Sequence, residues 1–449
     1  MTAQSFIAEH PFLERIRSSA LIGRIGHVQR ILPTYIEADG PNVPLGTLCR
    51  VEVSRQPGLP LAPPILAEVV SVNPGSAILV PFDDDVHTFA GALVEACQDA
   101  DLAPVGDVLL GRAVDPLGRP IDGKGAIHSG NLAPRTRLAT APLDRAPPKR
   151  VFETGIRAID AFLTLGEGQR VGIFAASGVG KTSLITQLAR QAKADRCVIC
   201  LVGERGREVE ALWSEALSEE ARKTTVLVAA TSDQAAAMRV RAGDYALAIA
   251  EHWSRQGQHV LLLLDSVTRL AMAMRETGLA AGEPPTLRAY TPSVFAAIPR
   301  LVERCGGLKS GGAITGILTV LSETDDIDDP ISEMLKSLLD GHILLSRSLA
   351  ERGHFPAIDV PRSISRMSRD LMSGRHREDA QSGVALLSTY DASRTLIESG
   401  VYVAGGSADI DRAIERRPAL MQYLKQSPSE HTPLATTTGV LKSIIEARG

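Results

Sequence analysis

"QRVGIFAASGVGKTSLITQLARQA", residues 169 to 192, decides the fold. "QRVGIFA" is an apolar run of strand length, and "GKTSLITQLARQA" carries its apolar residues at helical spacing. Glycines fill the join between them. Strand, glycine loop and helix in that order are the context a phosphate-gripping loop needs. Gly178 and Gly180 can take positive φ and turn backbone N–H groups toward one anion, and the helix N-terminus adds its positive end. Lys181 can reach the β and γ phosphates, and the Thr182 hydroxyl can ligate Mg²⁺. The leading position, normally Gly, is Ala175. Its task is close backbone passage at the strand end, which a methyl group can allow.

Two more charges stand at the ends of apolar runs. "HVLLLLDS" (259–266) ends on Asp265, whose carboxylate would be stranded in the core unless a cation met it. It suits the Mg²⁺ side of a phosphate loop, although a helix N-cap also fits the local pattern. "CVICLVGERGREVE" (197–210) places Glu204 just past another strand, where it can orient an attacking water or serve as a solvated turn charge. Cys197 and Cys200 in that run form a C-x-x-C. Three apart in a strand, they point to opposite faces, and no second pair or nearby His completes a metal site.

Further out, "TTVLVAA" and "AITGILTV" alternate with helical periods from about residue 151, which predicts an α/β core with a parallel sheet between helices. Before it, short alternating segments such as "LCRVEVS" and "ILAEVVSV", cut by Gly and Pro, predict a small β-barrel. "VGDVLLGRAVDPLGRPIDG" (105–123) reads as a connector of tight turns. Past about 375 strand signals stop, and "SGVALLSTYDASRTLIESG" and "ADIDRAIERRPALMQYLKQ" predict helices. The expected division is an amphipathic segment at 1–20, a barrel at 21–90, a nucleotide-binding core at 91–375 and a helical domain at 376–449.

Composition narrows the function. The chain has 449 residues, 44% hydrophobic but only 4% aromatic, with a net charge of −4 and scattered Lys and Arg. No basic stripe or stacking platform favours nucleic acid. Five Cys make no disulfide framework. No run approaches the ~20 apolar residues of a membrane span, and the first residues lack a signal pattern, so a cytosolic protein is expected.

The loop with its two carboxylates resembles the catalytic subunits of rotary ATPases, and most closely the flagellum-specific and type III secretion ATPases. The blocks that carry this are "ETGIRAIDAFLTLGEGQRVGIFAASGVGKTSL", "GERGREVE", "TSDQAAAMRVRA", "LLLLDSVTRLAMAMRETGLAAGEPP", "PSVFAAIPRLVERCG", "LDGHILLSRSLAERGHFPAIDVPRSISR" and "DIDRAI". "PLGTLCRVE" and "LGRAVDPLGRPIDGKG" extend it toward the N-terminus. The resemblance implies a RecA-like core between an N-terminal barrel and C-terminal helices, with ATP and Mg²⁺ as ligands. It implies a nucleotide-binding set of Ala175, Ala176, Ser177, Gly178, Val179, Gly180, Lys181, Thr182 and Ser183, with Thr182 and Asp265 on the metal. Glu204 matches the glutamate that orients water. Arg205 and Arg269 match arginines near the phosphates, and Phe355 an aromatic that packs on adenine. Tyr290 matches a tyrosine near the site, though Ala289 and Thr291 depart from the commoner "GYPPS". Arg366 in "SISR" matches the arginine that a neighbouring subunit inserts into the active site, although four such residues also suit an exposed turn.

Loop, carboxylates and trans arginine on one chain fit a ring of identical subunits, and the resemblance implies a homohexamer. The family couples ATP hydrolysis to chaperone release, unfolding and export of proteins at a membrane export gate, working in the cytoplasm and peripherally at the inner membrane. The 1–20 segment resembles one that self-assembles and binds a stator-type regulatory protein. Rival readings are the catalytic subunit of an ion-driven rotary ATPase, against which "GERGREVE" in place of "GERTREG" speaks, an RNA-stimulated RecA-like ring ATPase, and a nucleotide-holding scaffold. Every block quoted is common to flagellar and injector members.

Overall fold

The computed structural model describes residues 23–54, 63–83, 86–97, 102–135, 140–321 and 329–447. The amphipathic segment expected at 1–20 lies outside them.

Six antiparallel strands close into a barrel: β1 (Ile25–Ile31), β2 (Ile36–Ala38), β3 (Leu48–Val51), β4 (Ile65–Asn73), β5 (Ser76–Pro81) and β6 (Leu93–Ala96), in the order β1-β2-β5-β4-β3-β6. Period-2 alternation sends Ile65, Ala67 and Val69 of β4 inward, where they meet Ile36, Val51, Leu79 and Val94. Closure leaves no strand edge unpaired. The closing strand β6 lies beyond residue 90, so the barrel runs past the boundary expected from sequence. Four residues are too few to show alternation on their own.

The core sheet is built on β7 (Ala113–Val114), β8 (Arg170–Ala175), β9 (Arg196–Glu204), β10 (Thr225–Thr231), β11 (His259–Asp265), β12 (Ala313–Leu321), β13 (Gly341–Leu344) and β14 (Ile364–Ser365). Their order is β14-β13-β8-β12-β11-β9-β10-β7, parallel throughout except the β13–β14 pair. Strands β9 and β11 are buried along almost their full length, the mark of a sheet covered on both faces. Cys197 and Cys200 enter the core clusters on opposite faces of β9, as their spacing requires. Burial pushes the Cys197 thiol up to about 12 and raises that of Cys200 too, which disfavours the thiolate at both. The connector 105–123 does turn tightly, but it also supplies β7 to the sheet edge, a two-residue strand too short to read from sequence.

Helix α1 (Lys181–Gln191) follows β8; α2 (Ala236–Arg255), with Tyr245 and Trp253 fully buried, covers the other face. Helix α3 (Val267–Ala280) follows β11. Three C-terminal helices, α4 (Gly374–Glu398), α5 (Ala408–Leu424) and α6 (Leu434–Glu446), put Leu387, Leu420 and Leu441 into the same cluster as Leu184 and Leu188 of α1. The short helix Arg157–Phe162 packs on all three, and Gln187 and Gln191 of α1 reach the link between α5 and α6. Among the described residues no helix is long and apolar enough to cross a membrane.

Candidate functional site

Strand β8 ends at Ala175, which is 1% exposed, pairs with Leu321 and stays extended. Its methyl group is part of the core, so the leading position of this loop does not demand glycine. The two later glycines do bend: Gly178 has φ 81°, and Gly180 has φ 93° where it caps α1. Val179 tucks under the loop at 2% exposure, while Ala176, Ser177, Gly178, Gly180, Lys181, Thr182 and Ser183 line one side of a cleft of 710 Å³.

Glu204, Arg205 and Arg269 form the opposite wall. Lys181 Nζ lies 3.3 Å from Glu204 Oε1 and makes a closer ion pair with Asp265 Oδ1. Arg269 Nη1 sits 2.8 Å from Glu204 Oε2 and also donates to the Gly203 carbonyl. Both carboxylates are buried, at 6% and 2% exposure, and each faces a cation, as buried charge requires. Arg205 is exposed at the mouth, loosely paired with Glu208 at 4.0 Å. Strand β12 lies between the strand of Asp265 and the loop strand, and Glu204 is one strand farther out again. Lys181 spans that gap. Asp265 is not a helix N-cap: Ser266 caps α3.

These groups suit a magnesium–triphosphate substrate. Loop amides and Lys181 match phosphate oxygens. An exposed hydroxyl at Thr182 and one carboxylate at Asp265 match a hard cation that keeps most of its waters. Among the described residues no group of three or more His, Cys, Asp or Glu could form a cage for a resident metal.

The Phe355 ring reaches the loop from the far side. A Cβ built on Gly180 would come within 3.3 Å of its Cδ1 and Cε1, and the ring is 39% exposed. Tyr290 is different. It is 3% exposed and packs edge-on against Phe295 beneath Arg275; neither it nor Phe355 lines the 710 Å³ cleft, and only the Phe355 ring reaches the loop. The chain folds it into the core because "AYTPS" leads directly into the helix Pro292–Glu303.

Arg366 is also apart from the cleft of its own chain. It follows β14, whose Ser365 pairs with Gly341 of β13; Gly341 in turn pairs with Val171 at the start of β8. The loop leaves the other end of β8. The span from Arg170 to Ala175, at about 3.3 Å per residue, separates the two by roughly 17 Å along the sheet. The Arg366 side chain is exposed, and Nη2 donates to the Lys336 carbonyl at 3.3 Å.

Sequence reading missed Thr319, whose hydroxyl donates to Asp265 Oδ1 at 2.7 Å. The signal was there, since Thr319 stands in the otherwise apolar run "GILTVL". It also missed Glu208, Glu215 and Thr186 on the cleft wall. Nothing in local pattern marks these, because the first two belong to a helix that changes to π-helical geometry over Ala211–Ala216.

Residues 155–365 match the model of the ATP synthase alpha/beta family nucleotide-binding domain, and 372–443 that of the T3SS EscN ATPase C-terminal domain. The chain is 43% identical to the flagellum-specific ATP synthase of Bacillus subtilis, over 94% of this chain and 95% of that one. It is 43% identical to the SPI-2 type 3 secretion system ATPase of Salmonella typhimurium, over 91% and 92%. The assembled ATPase EscN of enteropathogenic E. coli superposes with a TM-score of 0.87 at 38% identity, covering 94% of this chain and 100% of that one. EscN in complex with its central stalk EscO gives 0.84 at 37% over the same shares.

Proposed function

Because this chain belongs to the family of flagellum-specific and type III secretion ATPases, and is an ATP-hydrolysing enzyme, we propose that it is the motor of a bacterial protein export apparatus. The working unit is a homohexameric ring with Mg-ATP between subunits. The loop 175–183 and Lys181 hold the phosphates, Thr182 and Asp265 the cation, and Phe355 the base. Glu204 orients water, while Arg205 and Arg269 steady the charges around it. Arg366 enters from the neighbouring subunit and stabilises negative charge growing on the transferred phosphoryl group.

One observation carries the ring: Arg366 stands exposed at the end of the sheet remote from its own loop. An arginine so placed serves another protomer's site or none. Each hydrolysis then joins two subunits, and cycling round the ring supplies the movement that strips chaperones from substrates and unfolds them. Full-length similarity to flagellar and secretion ATPases favours export over ion-driven rotation. The EscN–EscO complex supports a stalk partner here too, and the ring works in the cytoplasm against the inner membrane.

Mixing tests this. Arg366→Ala and Lys181→Ala proteins should each be nearly inactive, the former by about 10³ to 10⁵ in turnover. Combined, they should recover part of the rate, because some interfaces join an intact loop to an intact arginine. Absence of recovery in a mixture shown to co-assemble would put Arg366 out of the reaction.

A further inference from the structure

The link 425–433 between α5 and α6 runs over the surface, but it is not free of the core. It is knotted to the nucleotide side of the core through Gln426, which is 3% exposed. Gln426 Oε1 accepts from the Arg157 backbone N–H at 2.8 Å, and Nε2 donates to the carbonyls of Gly155 and Glu430, each at 2.8 Å. Its own backbone N–H donates to the Phe355 carbonyl at 2.8 Å. Every polar group on this side chain is thus used, and by separate parts of the fold.

Neighbours tighten the same knot. The Arg157 guanidinium donates to the carbonyls of Tyr423 and Lys425 at 2.7 Å each, pairs with Glu430 and lies over the Tyr423 ring. From α1, Gln191 donates to the Pro428 carbonyl at 3.2 Å and Gln187 to that of Glu430 at 3.4 Å. One loop of the helical domain is therefore fixed both to the helix that follows the phosphate loop and to the backbone of Phe355, whose ring lies against Gly180.

We propose that Gln426 is a positioning residue for the base side of the nucleotide site: it holds the 425–433 link in register so that the Phe355 ring is in place before nucleotide arrives. This rests on the reading of Phe355 as the residue that packs on the base. A ring held in advance loses little freedom on binding, whereas a loosened one must be ordered by the ligand. The phosphate half of the site, formed by loop amides and Lys181, does not depend on that ring. Gln426 should therefore govern affinity for a base-bearing ligand and leave affinity for a bare phosphate chain alone.

The test uses the full-length protein with Mg²⁺ and two probes, ADP and inorganic pyrophosphate, in calorimetry or competition. Gln426→Met keeps the buried bulk and removes the hydrogen bonds; Gln426→Leu, equally uncharged, serves if Met disturbs the fold. Expected is a loss of about tenfold in ADP affinity with pyrophosphate unchanged, and the same pattern in Phe355→Ala. If Gln426→Met binds ADP like the parent protein, or loses ADP and pyrophosphate equally, while Phe355→Ala shows the base-selective loss, Gln426 has no positioning role. If Phe355→Ala itself leaves ADP affinity unchanged, the base-packing reading fails and takes this proposal with it.

Discussion

Thr319 Oγ1 donates a 2.7 Å hydrogen bond to Oδ1 of Asp265, the same oxygen that faces the Lys181 ammonium. The carboxylate is thereby fixed from below by a fully buried hydroxyl and from the cleft side by a cation. Thr319→Val preserves shape and removes the donor. It should cost about 1 kcal/mol in denaturant stability and raise the Mg²⁺ concentration needed for half-maximal turnover. Thr319→Ser should restore both. Equal Mg²⁺ requirements in Val and Ser proteins would show that the hydroxyl does not orient Asp265.

Glu204→Gln keeps the size of the side chain but takes away its charge, and with it the pairing to Lys181 and Arg269. ATP binding should persist, measured with a fluorescent nucleotide. Phosphate release should fall by about 10² to 10⁴. A variant that hydrolyses at the parent rate would remove Glu204 from the chemistry.

Ala289 has φ 61° and Arg288 φ 51°, a left-handed pair ahead of Tyr290. A side chain at such φ costs about 1–2 kcal/mol, while glycine gives back part of that through a freer unfolded chain. Ala289→Gly should therefore raise the urea midpoint by an amount equal to about 0.5–1 kcal/mol. Destabilisation on the same substitution would mean that the methyl group packs usefully.

The connector is anchored to the sheet through Asp122. Arg112 donates to it at 2.7 and 3.0 Å, and the N–H groups of Ala113 and Lys124 at 3.1 and 3.0 Å. Burial alone would raise its carboxyl; the Arg112 side chain and the two N–H groups outweigh that and hold it at about 2. An unfolded Asp titrates near 3.9. The folded state thus favours the charged form, and the gain is full above about pH 4 and lost as pH falls toward 2. Asp122→Asn should lower stability by about 2 kcal/mol at pH 7, and the gap to the parent protein should narrow across that acid range in pH-dependent denaturation.

Much of the site was legible because its charges break apolar runs. Lys181, Asp265 and Glu204 each stand where a buried strand or a glycine loop ends, and a lone charge there needs a reason. What sequence could not supply was lateral order. Nothing in "HVLLLLD" or "CVICLVGE" tells that β12 separates β11 from β8, since each strand is apolar on both faces and would pair as well with any other. The same holds for Arg366: its distance from the loop follows from the pairing of β14 with β13 and of β13 with β8. Strands β6 and β7 were missed for a different reason, being too short to carry a period. The burial of Tyr290 and the hydrogen bonds of Gln426 to partners some 270 residues away leave no trace in local spacing.

On the ring reading, a protomer whose last cation lies at the far end of its own sheet has a simple safeguard. Alone in dilute solution it would hold fuel without burning it, and firing would begin only where copies meet edge to edge. Specific activity should then climb more steeply than concentration, so that the place where copies gather also sets where ATP is consumed.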